Sequence, residues 1–132
     1  MYWYHSTLKA THPFESRWYT WLLDLRPVWY YKNSYLEAGL QGSIAGFYNP
    51  VICWAGLFCI LLLLWRQVSA RGTAKGAGVL ILYASQLLSW MLVSRCTFMY
   101  HYFPSSVFAL TAIVLVLTQM KRQDRAKKIC AG

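Results

Sequence analysis

Three long stretches without a charged residue constrain this chain more than any other feature. Residues 38–65, 76–94 and 96–120 contain no Asp, Glu, Lys or Arg. Each has room for the roughly 20 residues that a helix needs to cross a bilayer. Only 13% of the chain is charged, whereas soluble domains average about 25%. The pattern predicts an all-α membrane protein.

Local signals indicate where the membrane helices begin. Asn49 followed by Pro50 is typical of a helix start, because Asn caps the first turn and Pro suits the first helical position. Pro104 opens the last apolar run in the same way. We therefore predict a membrane region with three transmembrane helices: residues 47–120, with helices at about 50–65, 77–93 and 104–120.

The N-terminal region, residues 1–46, is too polar to cross a membrane but is rich in aromatic residues. On a helix from Phe14 to Arg26, apolar and polar side chains fall on opposite faces. The apolar face would hold Phe14, Trp18, Trp21, Leu22 and Leu25, and the polar face Arg17, Thr20 and Asp24. We predict an interfacial amphipathic helix here, ended by Pro27 because proline interrupts the helical hydrogen bonds.

The basic residues indicate the orientation in the membrane. They concentrate between Arg66 and Lys75 and between Lys121 and Lys128, and short cytoplasmic loops are enriched in Lys and Arg. We predict a multi-pass protein of the cell membrane with residues 1–46 outside and residues 121–132 as a basic cytoplasmic tail. The net charge of +9 is then a topology signal and does not indicate binding to nucleic acid.

The segment between the second and third predicted helices, Ser94 to Pro104, holds the candidate binding residues. Arg95 is a lone cation between two uncharged runs, and Tyr100 and His101 follow it closely. Polar groups at membrane depth are candidates for function, and a guanidinium suits a phosphate well. The alternatives are an Arg95 that only anchors the interface and a His101 whose imidazole is structural.

Catalytic and metal-binding patterns are not evident. The four cysteines and three histidines lack the spacing of metal ligands, so we predict no metal and no cofactor. The acids Glu15, Asp24 and Glu37 lie among basic residues and are expected to form charge pairs. We predict no catalytic residue in this chain.

Three segments together resemble a known family. They are HPFESRWYTWLLDLRPVWYY at residues 12–31, NPVICWAG at 49–56 and SRCTFMYHYFP at 94–104. In this order they resemble the C-terminal membrane region of the protein O-mannosyltransferases, glycosyltransferase family 39. No β-trefoil domain precedes the first predicted helix, so the resemblance is to the bacterial branch.

The resemblance implies part of a C-type glycosyltransferase fold. Such an enzyme moves mannose from polyprenyl-phosphate-mannose to Ser or Thr hydroxyls of acceptor proteins, and the carrier phosphate becomes the expected ligand of Arg95, Tyr100 and His101. The catalytic acidic pair of that family lies in its first external loop, which nothing here resembles. We therefore expect a missing N-terminal part of the enzyme as a partner and no activity for this chain alone. The alternative is a non-catalytic small membrane protein that binds lipid headgroups or partner helices.

Overall fold

The computed structural model describes residues 15–33, 42–94 and 96–130 of the chain. Helices dominate this part, as predicted. In chain order the elements are α1 (Trp18–Trp21), β1 (Val28–Asn33), β2 (Gly42–Gly46), α2 (Pro50–Val68), α3 (Ala74–Leu88), a 3₁₀ segment (Ser89–Leu92), a second 3₁₀ segment (Met99–Tyr102) and α4 (Phe103–Cys130).

Helix α2 begins at the predicted residue and continues about one turn past the predicted end. The Asn49 side-chain oxygen accepts hydrogen bonds from the backbone N–H groups of Val51, at 3.0 Å, and Ile52, at 3.3 Å. These bonds satisfy donors that the first helical turn leaves without partners. The helix ends before Ala70, whose φ of 54° is left-handed.

Helix α3 starts three residues before the predicted position. The Thr73 hydroxyl accepts a hydrogen bond from the Gly76 backbone N–H at 3.1 Å, so Thr73 caps the helix. The 3₁₀ segment Ser89–Leu92 continues it to nearly the predicted end. That this element crosses the membrane stays a prediction.

Helix α4 follows directly from the second 3₁₀ segment and is longer than predicted. It continues through the basic stretch after Met120 to Cys130, because Lys, Arg, Gln and Ala are good helix formers. The residues predicted as a basic tail are therefore helical to Cys130. Among the described residues, α2 and the continuous segment Met99–Cys130 are long and apolar enough to cross a membrane.

The three long helices form a bundle in which small residues allow close approach. A Cβ placed on Gly56 of α2 would lie 2.9 Å from the Ala109 Cβ of α4, so the two backbones nearly touch there. Small residues serve this purpose in membrane helices. At the other end of the same pair, the Arg66 guanidinium donates a 2.5 Å hydrogen bond to the Gln119 side chain. Helices α2 and α4 therefore run in the same direction.

The predicted interfacial helix is shorter than expected and is not ended by Pro27. The backbone N–H of Asp24 bonds to the Trp21 carbonyl and that of Leu25 to the Thr20 carbonyl, both at 3.2 Å. Asp24 has a left-handed φ of 55°, and this combination is the Schellman ending of a helix. The chain thus leaves α1 well before the proline. Leu25, predicted on the apolar face, is not covered by protein.

The predicted lipid contact of this helix stays a prediction, although part of its apolar face packs against protein. Trp21 is fully buried, at 0% exposure, inside the protein. Trp18 and Leu22 are partly buried against the same core. Trp21 therefore attaches α1 to the helix bundle, while the rest of the apolar face is only partly covered by protein side chains.

A small sheet was not predicted. Strands β1 and β2 pair antiparallel from Val28 opposite Gly46 to Asn33 opposite Gly42, with an irregularity between Trp29 and Tyr31. The run VWYY is rich in the aromatic and β-branched residues that favour strands, which is the signal that could have found β1. The fold is thus helical with one two-stranded sheet among the described residues, rather than strictly all-α.

Candidate functional site

The segment before α4 is fastened to the N-terminal region by two hydrogen bonds between Ser16 and Thr97. The Ser16 N–H donates to the Thr97 carbonyl at 2.9 Å, and the Thr97 hydroxyl donates to the Ser16 carbonyl at 2.7 Å. Both residues are buried, so water competes little for these groups. The turn that holds the candidate residues therefore has a defined position relative to α1.

Trp21 packs against this turn. Its indole N–H donates a 2.8 Å hydrogen bond to the Ser16 hydroxyl. Its ring lies edge-on to Trp90, with centroids 5.9 Å apart, and stacks near His101 at 6.1 Å. The aromatic contacts join α1, the end of α3 and the start of α4 into one unit.

His101 is half-buried with one ring nitrogen already engaged. The Phe98 backbone N–H lies 3.1 Å from His101 Nδ1 and donates to it when that nitrogen is unprotonated. The Phe98 carbonyl oxygen lies 2.9 Å from the same Nδ1 and can accept from it when that nitrogen carries a proton. In the tautomer that accepts from the Phe98 N–H, the proton is on Nε2. Nε2 can then donate to a ligand.

Tyr100 lies beside His101 at the surface. The two rings have centroids 4.4 Å apart, and Tyr100 also stacks on Phe98 at 5.5 Å. Two of the three predicted site residues are therefore together. The third, Arg95, lies outside the described residues. Tyr102 points inward instead, and its hydroxyl is 3.1 Å from that of Tyr83.

The surroundings of Asp24 differ from the charge pair that was predicted for it. Its carboxylate accepts a hydrogen bond from the Tyr48 backbone N–H, and burial raises its pKa, while that hydrogen bond partly offsets the increase. Its Oδ1 atom is buried without a hydrogen-bond partner among the described residues. Asp24 thus connects the end of α1 to the segment that leads into α2.

Glu15 contacts a thiol through its carboxylate and Arg26 through its backbone carbonyl. One carboxylate oxygen accepts from the Cys96 thiol at 3.1 Å. Arg26 donates to the Glu15 backbone carbonyl at 3.0 Å instead of to its carboxylate. The predicted charge pairing of Glu15 stays a prediction, and Glu37 lies outside the described residues.

Tyr48 connects the start of α2 with the start of α4. Its hydroxyl forms a hydrogen bond with Ser106, and burial raises its pKa to about 12. Its ring lies edge-on to Tyr102 at 5.8 Å. Tyr48 therefore stays protonated at neutral pH and acts as a packing and hydrogen-bonding residue.

An open groove of about 500 Å³ lies next to Tyr100. It is lined by residues of the sheet, of the segment before α2 and of the start of α4: Val28, Tyr30, Gly46, Phe47, Tyr48, Met99, Tyr100 and Phe103. Tyr30, Tyr48 and Asp24 were not predicted as parts of the site. The aromatic residues at 29–31 and at 47–48 were a sequence signal for the groove. Their contacts, however, depend on the pairing of the two strands, which was not predicted.

Hydrogen-bond donors and aromatic rings are the chemical groups that the described residues bring to this end of the bundle. Imidazole and phenol donors lie at the surface, and the nearby acids Glu15 and Asp24 are each engaged in hydrogen bonds. The described residues hold no group of three or more His, Cys, Asp or Glu that could bind a metal ion. The arrangement suits a ligand that carries an anionic oxygen.

The fold and the exposure of its helices define the class of protein. In the apolar windows of α2 and of Met99–Cys130, 28% and 22% of the residues are buried, whereas a core helix of a soluble protein would be mostly buried. Exposed apolar surface of this extent requires lipid or other helices. This is a helical membrane protein with a cluster of aromatic and hydrogen-bonding side chains at one end of its helices.

The chain belongs to the family described as the C-terminal four TMM region of protein-O-mannosyltransferase, which matches residues 1–131. Among curated proteins it is similar to a polyprenol-phosphate-mannose–protein mannosyltransferase from Corynebacterium glutamicum, at 27% identity over 138 residues. The match covers 98% of this chain and 26% of that protein, so the chain spans about a quarter of its relative's length. No solved structure matches the chain significantly. The resemblance inferred from the sequence is thereby confirmed.

Proposed function

We propose that this chain is the C-terminal membrane part of an enzyme that transfers mannose from polyprenyl-phosphate-mannose to Ser or Thr hydroxyls of proteins. We further propose that Arg95, Tyr100 and His101 bind the phosphate of the carrier lipid. The family and the name of the Corynebacterium relative support the donor. The observation that carries the site is the adjacent, partly exposed pair Tyr100 and His101 at the start of α4.

The proposed topology has three membrane crossings with the site outside and the end of α4 in the cytoplasm. Helices α2 and α4 run in the same direction, so α3 must return across the membrane between them. Helix α3 and its 3₁₀ extension, Ala74 to Leu92, are together about 30 Å long, which matches the hydrocarbon core. The basic residues after Met120 support a cytoplasmic C-terminal end.

The depth of the site suits a phosphate attached to a lipid. Tyr100 and His101 lie where α4 begins, and Pro50 places the start of α2 at the same end of the bundle. A carrier whose chain lies in the membrane presents its phosphate at this level. The Nε2 proton of His101 and the Tyr100 hydroxyl can then donate to phosphate oxygens.

Arg95 is proposed as the main electrostatic partner of that phosphate. In the sequence it precedes the buried Thr97 by two residues, and a guanidinium can form two charge-assisted hydrogen bonds with phosphate oxygens. The same charge would stabilise the leaving phosphate as the mannosyl bond breaks. Because the resemblance places the catalytic acidic pair in an external loop that nothing here matches, we propose that the catalytic acid or base comes from outside this chain.

The test measures binding of radiolabelled polyprenyl phosphate to the chain in lipid nanodiscs. Losing a hydrogen bond to a charged group costs about 1.5–3 kcal/mol, so Arg95→Ala should weaken binding roughly ten- to a hundredfold. Arg95→Lys should be intermediate, and His101→Gln, which keeps an N–H donor, should bind more tightly than His101→Ala. Arg71→Ala, at the other end of the bundle, is the matched control.

Two results would contradict the proposal. Unchanged affinity in folded Arg95→Ala would leave Arg95 as an interface anchor only. Equal displacement of the ligand by any anionic phospholipid would favour the alternative, a small protein that binds lipid headgroups. Near-ultraviolet circular dichroism checks folding, because Trp21 and Trp90 lie against His101.

A further inference from the structure

Strand β1 contains a bulge at Tyr30 that directs its ring toward the groove. Trp29 is opposite Ala45 and Tyr31 is opposite Ile44, so Tyr30 has no partner in the register. Bulges often change the direction of a side chain beside a functional site. The Tyr30 ring lies over Gly46, where a Cβ would overlap it. Glycine at this position therefore lets Tyr30 form one wall of the groove.

The groove opens where two apolar helices begin. Phe47 and Tyr48 directly precede α2, and Phe103 is the first residue of α4. Its volume of about 500 Å³ lies in the range of small-molecule sites, roughly 300–1,000 Å³. A ligand could therefore enter the groove sideways from the lipid.

The chemistry of the residues that line the groove favours one kind of ligand over another. None of the eight lining residues carries a charge, and most present aromatic or aliphatic surface. A polypeptide would bring backbone N–H and C=O groups that need hydrogen-bond partners. An isoprenoid chain has no such groups, and it gains by leaving water for an apolar groove.

We propose that this groove holds the isoprene units next to the phosphate of the carrier lipid, with Tyr30 as a contact residue. The inference rests on the proposed function, because Tyr100 belongs to both the phosphate site and the groove. The phosphate and the first isoprene units are covalently joined, so their sites must be adjacent. Tyr30 would then contribute to the preference for a branched, unsaturated chain over a straight acyl chain.

The test uses polyprenyl phosphate with a photoreactive diazirine on an isoprene unit near the phosphate. The chain in nanodiscs is irradiated with this probe, and the labelled peptides are identified by mass spectrometry. We expect labels on the groove residues, competed by unlabelled polyprenyl phosphate. A phospholipid carrying the same diazirine on a straight chain should label the outward faces of α2 and α4 instead.

Substitutions of Tyr30 and of its neighbour Tyr31 test whether the Tyr30 side chain contributes to labelling of the groove. Tyr30→Ala should reduce groove labelling about fivefold, since an aromatic contact is removed, and Tyr30→Phe should retain it. Gly46→Ala should also reduce labelling, because it displaces the Tyr30 ring. Tyr31→Ala is the matched control, since Tyr31 is exposed and does not line the groove, and it should label like the unmodified chain.

A second probe separates this inference from the proposed phosphate site. Polyprenol without phosphate should still label the groove, and Arg95→Ala should not abolish that labelling. If both isoprenoid probes label only the outward helix faces while phosphate binding still depends on Arg95, the groove proposal is wrong and the phosphate site stands.

Discussion

The carboxylate of Asp24 accepts a hydrogen bond from the backbone N–H of Tyr48, and this contact joins the end of α1 to the start of the helix bundle. The Trp54 indole adds a second link, donating to the Leu23 carbonyl at 3.3 Å. The short N-terminal helix is thus held at one position beside α2. The groove and the candidate phosphate site both depend on that position.

Asp24 can be tested by two substitutions. Asp24→Ala should lower the free energy of unfolding by about 1–3 kcal/mol, because the Tyr48 N–H loses its acceptor. Asp24→Asn should be much milder, since asparagine can accept the same bond and tolerates a left-handed φ. Thermal unfolding in detergent micelles measures both. Equal effects of Ala and Asn would contradict the assigned hydrogen bond.

The pH dependence of Asp24 has a defined sign. Burial raises its pKa above the ordinary value of 3.8, so the folded state binds the proton more tightly than the unfolded state. The contribution of Asp24 to stability is therefore greatest below pH 3.8 and falls as pH rises through the raised folded value. As the pH rises through this range, the unmodified chain should therefore lose stability relative to the Asp24→Asn variant. A shift in the opposite direction would show a lowered pKa.

The bond from Thr97 to Ser16 is predicted to hold the site in place. Thr97→Val keeps the shape but leaves the buried Ser16 carbonyl without this donor, which should cost about 1–3 kcal/mol. Near-ultraviolet circular dichroism should also change, because Trp21 is bonded to Ser16. Thr111→Val is the control, since its hydroxyl is exposed and bonds within its own helix at 2.9 Å. Similar losses in both variants would argue against a special role for Thr97.

Close approach of α2 and α4 is tested with two glycines. Gly56→Ala would bring a Cβ to 2.9 Å from that of Ala109, and overpacking of this kind costs about 1–3 kcal/mol. Gly78→Ala has open space around its Cβ and should be neutral or slightly stabilising, because alanine is the better helix former. Denaturation in micelles compares the two. The packing would be misassigned if Gly56→Ala proved as stable as Gly78→Ala.

The orientation of the chain in the membrane can be checked by labelling a native cysteine. Cys130 is exposed at the end of α4, while Cys53 and Cys59 are buried. A membrane-impermeant maleimide should label Cys130 in inside-out vesicles and leave it unlabelled in right-side-out vesicles, because the basic end is predicted to be cytoplasmic. Cys130→Ser identifies the labelled position. Labelling only from the outside would reverse the proposed topology and move the site to the cytoplasm.

The sequence by itself determined the membrane class, the start of α2 and the family. These follow from properties of neighbouring residues: the absence of charge over long stretches, the pair Asn49 and Pro50, and three short segments in a fixed order. It also placed Tyr100 and His101 together, since adjacent residues at a helix start are necessarily close. The length of α1 was not determined locally, because the left-handed turn at Asp24 ends it before Pro27.

Tertiary structure decided what those residues contact. Trp21 matched an interfacial helix by its spacing, yet it is buried because Trp90 and His101 cover it. The Ser16 to Thr97 pairing joins residues 81 positions apart, and the groove depends on the bulge that places Tyr30 over Gly46. Periodicity in sequence reports which face of an element is apolar, but not whether lipid or protein will cover that face. That choice is made only when the helices and the sheet pack together.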